Sequence, residues 1–383
     1  MNKRKILLIG PAYPYRGGNS LYVSSVYEIL KNSFNIGIIN YKLLYPSILF
    51  PGTTQKDVSE KTIKKVPNVR LINSINPFSW LKTANFIKKQ NADLIIFDWW
   101  NPFFGPSHYA ISNLIKKKYK GKILFITENV ISHEGRFLDR ILTKLGLRNA
   151  DYFLALSNAV ENDLKKLYAK PVFRSELPIY DDYSFNENPD KNKEKENLGY
   201  RKDDIIILFF GYVRKYKGLN ILIESIPEVI SNNPKIKFLV VGEFYDSPDK
   251  YLYLIDKLSI KEHIKILNKF VPNEDVEKYY TAADLVVLPY LSATQSGILN
   301  IAYGFRKPVI VTNVGGLADD VIEGKTGFVV EPQRPEEIAK KILYFAENKE
   351  KENYALNIED KIRNHKFNEM PKLIGEIIER TEN

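Results

Sequence analysis

The chain of 383 residues contains no cysteine, only two methionines and four histidines, and no long apolar run. The missing cysteine excludes disulfide bonds and thiolate metal sites, and it suits a reducing cytosol. The apolar run nearest the amino terminus, Ile6–Ile9, is too short for the core of a signal peptide. No run approaches the roughly 18 apolar residues that a membrane span requires. We therefore expect a soluble, cytoplasmic protein.

Length and charge limit the architecture and the partners. The chain is too long for one typical core and fits two domains. Residues 1–170 carry 26 Lys and Arg against 11 Asp and Glu, whereas the remaining residues carry 30 against 35. Three explanations for the basic half stay open: an anionic membrane face, an anionic acceptor such as a lipid-linked diphosphate, or a Lys-rich proteome. Specific nucleic-acid binding is not expected, because the run Lys116–Lys118 lacks interleaved aromatic residues.

Strand-like runs alternate with helical patterns along the whole chain, which is typical of parallel sheets covered on both faces. The predicted strands are Ile6–Ile9, Ile36–Ile39, Leu94–Phe97, Leu124–Thr127, Phe153–Leu156, Ile205–Phe210, Phe238–Val241, Ile264–Leu267, Leu285–Leu288 and Val309–Val311. Residues 181–204 are polar and aperiodic, and we interpret them as a linker or exposed loop. The prediction is an α/β fold with two Rossmann-like domains, 1–180 and 181–363, whose parallel sheets face a central cleft. An amphipathic helix, Phe367–Arg380, follows in residues 364–383.

A basic loop with glycines follows the predicted strand Ile205–Phe210. Gly211 permits a sharp turn, and Arg214 and Lys217 are cations where a diphosphate could lie against the start of the next helix. We choose these two, rather than Lys215, as the cations that point inward. The alternative is a solvated basic loop.

Small polar residues fill the segment 292–297, before a helical run. Small residues let backbone N–H groups approach phosphate oxygens, and the helix start adds attraction. The alternative is an ordinary turn between a strand and a helix. The ligand-binding residues predicted in this region are Thr294, Gln295, Ser296, Gly297 and Asn300.

Polar residues in the first half follow predicted strands as well. Arg16, Gly17, Gly18 and Asn19 open the first helix, and no G-x-G-x-x-G fingerprint occurs, which counts against a nicotinamide dehydrogenase. Asp98 follows the third predicted strand. The fourth is followed by Glu128, Asn129, His133 and Glu134, side chains that could bind sugar hydroxyls or support proton transfer. A structural role for His133 stays an alternative.

The segment 284–331 and the loop Gly211–Gly218 resemble the donor-binding region of retaining GT-B glycosyltransferases of the GT4 family, the glycosyl transferases group 1. Most of that family carries two Glu separated by seven residues, where this chain has Ala293 and Ile301. A subset of the family carries Ala-Thr-Gln-Ser-Gly at this place, so the chain resembles a variant.

The resemblance implies a retaining hexosyltransferase that moves a sugar from a UDP- or GDP-linked donor to an acceptor hydroxyl without a metal ion. Arg214 and Lys217 would stabilise the leaving diphosphate, with His133 as a third catalytic residue. Gly17, Gly18 and Gly211 would approach the donor. The final helix would cross back to the first domain. The acceptor would be a glycan or a lipid-linked molecule of cell-surface polysaccharide synthesis, with Arg16 near its anionic group.

Two alternatives remain. A nucleotide-sugar epimerase shares the GT-B architecture but needs acid and base carboxylates at the site. A non-catalytic nucleotide-sugar-binding partner is suggested by the missing Glu pair.

Overall fold

The structure is a computed structural model that describes residues 3–50, 54–130, 137–186 and 188–380. The chain divides into two compact units. Unit 1 comprises Met1–Asp57, Lys64–Pro178 and His365–Asn383. Unit 2 comprises Val58–Ile63 and Ile179–Asn364. The short segment Val58–Ile63 therefore belongs to unit 2, although the residues on both sides of it belong to unit 1.

Within its described residues, unit 1 is built on a seven-stranded parallel sheet with the order β3-β2-β1-β4-β5-β6-β7. Its strands are β1 (Lys5–Ile9), β2 (Asn35–Leu43), β3 (Asn68–Asn73), β4 (Leu94–Trp99), β5 (Lys122–Thr127), β6 (Tyr152–Ala155) and β7 (Val172–Arg174). The five strands predicted in this half all overlap observed strands. The sequence did not predict β3 or β7, because each contains an arginine, Arg70 or Arg174, and β7 has only three residues.

Helices cover both faces of this sheet. They are α1 (Gly18–Leu30), α2 (Pro77–Lys89), α3 (Gly105–Lys116), α4 (Phe137–Gly146), α5 (Asn158–Leu167) and, at the end of the chain, α13 (Met370–Glu379). On one face α2 packs on α3 and α3 on α4, whereas α1 and α13 share the other core. The last helix is shorter than the predicted Phe367–Arg380 because a 3-10 turn, Lys366–Glu369, precedes it.

The described part of unit 2 contains a six-stranded parallel sheet with the order β10-β9-β8-β11-β12-β13. The strands are β8 (Ile205–Phe210), β9 (Ile236–Val241), β10 (Ile264–Leu267), β11 (Leu285–Leu288), β12 (Val309–Thr312) and β13 (Gly327–Val330). The helices are α6 (Lys191–Asn197), α7 (Leu219–Asn232), α8 (Asp249–Lys257), α9 (Asn273–Ala282), α10 (Gly297–Gly304), α11 (Pro335–Asn348) and α12 (Tyr354–Arg363). No helix in the described part of the chain has the length and apolar character needed to cross a bilayer.

The segment 181–204 is not simply a linker or an exposed loop, because it contains α6. Asp190 caps this helix by accepting hydrogen bonds from the backbone N–H groups of Asn192 and Lys193. Lys195 is buried, and its ammonium lies 3.3 Å from the carboxylate of Asp284. The helix is held by this buried ion pair rather than by an apolar face, which is why its sequence shows no apolar periodicity.

Each sheet has a position where neighbouring strands connect toward opposite edges. It lies between β1 and β4 in unit 1 and between β8 and β11 in unit 2. At such a switch point the loops at the carboxyl ends of the strands diverge and leave a crevice, where open parallel sheets bind ligands. The loop Gly211–Gly218 follows β8, and the segment 289–296 follows β11. The predicted donor-binding loops of unit 2 therefore lie at its switch point.

We predict that replacing Gly146 with Ala destabilises unit 1 by roughly 1–3 kcal/mol, because the close approach of α4 leaves no space for a methyl group. A Cβ at Gly146 would lie 2.3 Å from a ring atom of Trp99 and 2.9 Å from the Cα of Gly105. Urea unfolding followed by tryptophan fluorescence measures this effect in unit 1, which contains all three tryptophans.

The matched control is Gly375→Ala on α13, where a Cβ would meet nothing within 4 Å. This change should leave stability unaltered or raise it by up to about 1 kcal/mol. Equal unfolding midpoints for the two variants would contradict the packing described for α4.

Candidate functional site

The loop after β8 and the segment after β11 pack together through backbone atoms. Gly211 turns the chain with φ +99°, and Gly218 lies directly before α7 with φ +65°. A Cβ at Gly218 would lie only 1.9 Å from the carbonyl oxygen of Pro289. The N–H of Leu291 donates to the carbonyl of Tyr216 at 2.7 Å. Only glycine allows this approach, so the two segments are held at a fixed separation.

Lys217 is a buried cation at the point where these segments meet. Its side chain is 7% exposed, and its ammonium lies 5.2 Å from the centroid of the Tyr290 ring. No Asp or Glu in the described part of the chain forms an ion pair with it. Burial lowers the pKa of Lys217, and the positive charge of Arg214 lowers it further. A buried charge without a counter-ion is costly, so this position favours binding of an anion.

The other two cations of the loop differ in their surroundings. Arg214 is half-buried, and its guanidinium lies 4.7 Å from the ring centroid of Tyr245. Lys215 is exposed to solvent. Two of the three cations therefore lie against aromatic rings, which hold them by cation–π attraction, and the third points away.

The small polar residues of segment 292–297 lead into α10. Ser296 precedes the helix without capping it, and its hydroxyl lies 3.3 Å from the phenol oxygen of Tyr290. The side-chain oxygen of Gln295 is buried and accepts no hydrogen bond from any described residue. Thr294 is half-buried, and Asn300 is buried within the helix. A helix start without a side-chain cap has backbone N–H groups available to an anion.

A Gly-Gly turn after β12 fixes the backbone of this segment. Gly315 has φ +56°, and a Cβ there would lie 1.6 Å from the carbonyl oxygen of Ala293. The N–H of Gly316 donates to the carbonyl of Thr294 at 3.2 Å. The turn therefore packs directly on the backbone of Ala293 and Thr294. No residue larger than glycine fits at Gly315.

The two positions that carry Glu in most of the resembled family are buried in this chain. Ala293 is 8% exposed and Ile301 is 7% exposed. Both side chains lack a polar atom, so neither can form a hydrogen bond to a ligand. Any recognition of hydroxyl groups at this end of unit 2 must therefore come from other residues, such as Gln295.

A second group of polar side chains lies at the carboxyl ends of the strands in unit 1. Asp98, the fifth residue of β4, is fully buried, and Glu128, which directly follows β5, is 8% exposed. The side-chain amide of Asn19 donates to Glu128 Oε2 at 2.8 Å. Because β4 and β5 are adjacent in the sheet, the two carboxyl groups lie close enough to interact electrostatically, although neither oxygen of Asp98 forms a hydrogen bond with a described residue.

The protein interior favours the neutral form of both carboxyl groups. Burial raises the pKa of Glu128 to about 7, although the hydrogen bond from Asn19 and the interaction with Asp98 oppose the rise. Burial, followed by the charge of Glu128, raises the pKa of Asp98 well above its usual range. Two neighbouring buried carboxyl groups cannot both ionise at low cost, so the pair favours one negative charge over two.

The remaining predicted residues lie in different surroundings. Gly17 has φ +101°, and Gly18 opens α1 without a side-chain cap before it. Arg16 and Asn129 are half-buried. His133 and Glu134 lie outside the described residues. The described side chains include no group of three His, Cys, Asp or Glu placed to hold a metal ion.

Comparison with known proteins gives the carboxyl-terminal part of the chain a family. Residues 190–362 match the profile of the family described as glycosyl transferases group 1. This segment is therefore similar to group 1 glycosyltransferase domains. It contains both loops at the switch point of unit 2, together with Lys217 and Arg214.

Relatives extend the similarity beyond that domain. An uncharacterised glycosyltransferase of Methanocaldococcus jannaschii is 25% identical over 364 residues, which cover 90% of this chain and 89% of the relative. A D-inositol 3-phosphate glycosyltransferase of Segniliparus rotundus is 25% identical over 314 residues, which cover 75% of this chain and 70% of the relative.

Solved structures show the same fold over the whole chain. Anabaena HepE in complex with UDP-glucose has a TM-score of 0.76 and 17% identity, covering 98% of this chain and 99% of that one. Sucrose-phosphate synthase of Thermosynechococcus elongatus has a TM-score of 0.73 and 18% identity, covering 99% of both chains. The protein therefore has the GT-B fold of glycosyltransferases, with two Rossmann-like domains.

Two aromatic residues at the candidate site of unit 2 were not predicted from the sequence. Tyr290 lies against Lys217, and Tyr245 lies against Arg214. Tyr290 comes two residues after β11 and Tyr245 four residues after β9, so both are at the carboxyl ends of strands. Their position after a strand could have marked them as site residues. Tyrosines are common in this chain, however, and the cations that they contact are distant in sequence.

We predict that Glu128 makes unit 1 less stable as the pH rises from 5 to 7. The pKa of Glu128 is higher in the folded chain than in the unfolded chain, so the folded state holds a proton that the unfolded state releases. That stabilisation is complete below the unfolded pKa and is lost as the pH rises through about 7. Glu128→Gln removes this titration and should gain roughly 2 kcal/mol relative to the original chain over this range.

Urea unfolding of unit 1, followed by tryptophan fluorescence at several pH values, measures the difference. Glu376→Gln, at an exposed position on α13, is the matched control and should follow the original chain at every pH. If the free energy of unfolding changed with pH in the same way for Glu128→Gln and the original chain, the raised pKa of Glu128 would be contradicted.

Proposed function

We propose that the protein transfers a sugar from a nucleotide-sugar donor to an acceptor hydroxyl with retention of the anomeric configuration. The donor diphosphate binds at the switch point of unit 2, and the acceptor binds at the carboxyl ends of the strands in unit 1. The reaction needs no bound metal ion, because protein cations stabilise the leaving diphosphate. A retaining hexosyltransferase of cell-surface polysaccharide or lipid-linked glycan synthesis is the activity that fits these features together.

The observation that carries the proposal is the buried ammonium of Lys217, which has no carboxylate partner in the described part of the chain. It lies beside the Tyr290 ring, at the meeting point of two glycine-containing segments before helix starts. A diphosphate supplies the missing negative charge, and Arg214 provides the second cation. Buried cations and helix starts stabilise a phosphate oxyanion more strongly than exposed ones do, because little water competes with them.

The donor is a nucleoside diphosphate sugar, with UDP or GDP as the nucleotide. Support for UDP comes from the structural relative HepE, whose solved complexes contain UDP and UDP-glucose. The sugar itself is recognised without the usual Glu pair. Gln295 takes part of that role, because its buried side-chain oxygen has no partner among the described residues and is available to accept a hydrogen bond from a sugar hydroxyl.

Transfer proceeds by cleavage of the bond between the anomeric carbon and the diphosphate, whose oxygen takes the electron pair. Arg214 and Lys217 stabilise the negative charge on that oxygen. The acceptor oxygen bonds to the anomeric carbon on the same face, and its proton passes to the departing phosphate oxygen. Glu128, with a pKa near neutrality, holds the acceptor hydroxyl by accepting its hydrogen bond. Asp98 positions Glu128 from the interior, and His133 stays a predicted catalytic residue outside the described part of the chain.

An epimerase is the second candidate, and the carboxyl pair Asp98–Glu128 favours it because epimerisation requires an acid and a base. Incubation of a nucleotide sugar with the protein, without any acceptor, separates the two functions by proton NMR. A new epimer of the donor would indicate the epimerase, whereas slow release of free nucleotide alone indicates a transferase.

We predict that UDP raises the melting temperature of the protein and that Lys217→Met abolishes this shift. A ligand at a hundredfold excess over its Kd stabilises the folded state by about 2.7 kcal/mol. Methionine keeps the buried stem but removes the charge. Without ligand, the same variant should be more stable by roughly 1–3 kcal/mol, because a buried unpaired charge is gone. Differential scanning fluorimetry with UDP, GDP and ADP measures both effects.

Lys215→Met is the matched control, because Lys215 lies in the same 3-10 turn but is exposed. Its melting temperature and its response to UDP should equal those of the original chain. Arg214→Ala should reduce the shift without removing it. No shift of the original chain with any nucleotide, or an equal loss in Lys215→Met, would refute the proposed donor site.

A further inference from the structure

Unit 1 exposes an unusual number of large apolar side chains in three short segments, which we call the apolar rim: residues 47–49, 75–81 and 137–141. Ile48 is 92% exposed, Phe78 is 78% exposed and Phe137 is 80% exposed. Single exposed apolar residues are common, but a group of them marks an interaction surface.

The three segments lie at one edge of the unit 1 sheet. Residues 47–49 follow β2, α2 starts after β3, and α4 follows β5. All pairings in this sheet are parallel, so the carboxyl ends of these strands share one edge. Tyr45, just before the first segment, stacks on Phe103 at 5.3 Å between ring centroids. The 3-10 turn that contains Phe103 packs on α4, which connects the first segment to the third.

Helix α4 buries two small residues, half-buries Leu142 and Leu145, and exposes its three other large apolar residues. Thr143 and Gly146 face the interior, and Gly146 packs directly on Trp99. Phe137, Leu138 and Ile141 are exposed, although an ordinary surface helix turns such residues toward the core. These three side chains therefore do not contribute to the core of unit 1. Their apolar surface is available to a binding partner.

Exposed cations lie in or near the three segments of the rim along the sequence, although Asp139 also lies in the third segment. Arg140 and Lys144 lie on α4, Lys82 lies on α2, and Lys42 precedes the first segment; all four are exposed. None of them forms an ion pair with a described residue. The half of the chain that contains the rim has 26 Lys and Arg against 11 Asp and Glu.

The combination of exposed apolar side chains with exposed cations distinguishes a membrane partner from a protein partner. Protein–protein interfaces are depleted in lysine, whereas helices that lie in the surface of a bilayer combine Phe and Leu with Lys and Arg. We infer that the apolar rim of unit 1 docks on an anionic lipid bilayer, with the apolar side chains inserted at the headgroup boundary and the four cations among the phosphate groups. This inference does not depend on the sugar-transfer reaction.

Sedimentation of the full chain with phosphatidylcholine vesicles, with and without phosphatidylglycerol, tests the inference. The original chain should sediment with the anionic vesicles and much less with the neutral ones. The triple variant Phe137→Gln, Leu138→Gln and Ile141→Gln should bind the anionic vesicles roughly tenfold more weakly or worse, because it removes the inserted surface. Arg140→Gln and Lys144→Gln should each weaken binding by about fivefold at low salt.

The matched control replaces three exposed apolar residues of unit 2, with the changes Leu252→Gln, Tyr253→Gln and Leu356→Gln. It should sediment like the original chain. All variants should keep the original melting temperature shift with UDP, which shows that they fold and separates this test from that of the donor site.

Three outcomes would overturn the inference. The original chain could fail to sediment with anionic vesicles, or the unit 2 control could lose binding as strongly as the α4 variant. In the third outcome, size-exclusion chromatography would show that the α4 variant converts a dimer to a monomer while vesicle binding is unchanged. The rim would then be an interface between copies of the chain.

Discussion

The ammonium of Lys217 lies inside unit 2, beside the ring of Tyr290, and no described carboxylate neutralises it. Burying an unpaired charge lowers the stability of the fold, and most buried lysines have a partner, as Lys195 has in Asp284. The surrounding backbone keeps the ammonium in place: Gly218 packs on Pro289, and Gly315 supports Ala293 from behind. A site that is unfavourable when empty becomes favourable when an anion binds. The proposed donor chemistry depends on this constraint.

The two units place groups of opposite charge type at the carboxyl ends of strands in their sheets. Unit 2 holds a buried cation at the end of its central strands, which suits a diphosphate. Unit 1 holds Asp98 and Glu128, two buried carboxyl groups with raised pKa values, which suit a hydroxyl group. Two Rossmann-like units thus provide two sites with different chemistry, because the side chains at the carboxyl ends of their strands differ.

Much of this fold could be predicted from the sequence. Strands such as β8 and β11 are buried on both faces, so their apolar runs are continuous and easily recognised. The edge strand β3 and the short strand β7 were not predicted, because each carries an arginine. Helix α6 was not predicted, because the ion pair of Lys195 with Asp284 stabilises it and it has no apolar face. In these elements, tertiary contacts replace the local signal on which sequence reasoning depends.

The site was predictable only as a set of loops. That Arg214 and Lys217 follow a strand, and that small residues precede α10, could be seen from the order of elements. The contact of Lys217 with Tyr290 depends on the adjacency of β8 and β11, and the contact of Asp98 with Glu128 depends on that of β4 and β5. Strand adjacency in a parallel sheet is set by crossover connections, which leave no mark in the local sequence. The roles of His133 and Glu134 stay predictions.

The central claim is that Lys217 is a buried cation that a nucleoside diphosphate neutralises. Carbon-13 NMR of labelled lysine side chains, with Lys217 assigned by comparison with Lys217→Met, follows its protonation directly. Titration without ligand should give a pKa below the ordinary value, because burial disfavours the charge. Titration with saturating UDP should give a higher pKa, and uridine should leave it unchanged, since only the diphosphate supplies negative charge. An ordinary pKa without ligand, or the same pKa with and without UDP, would contradict the account.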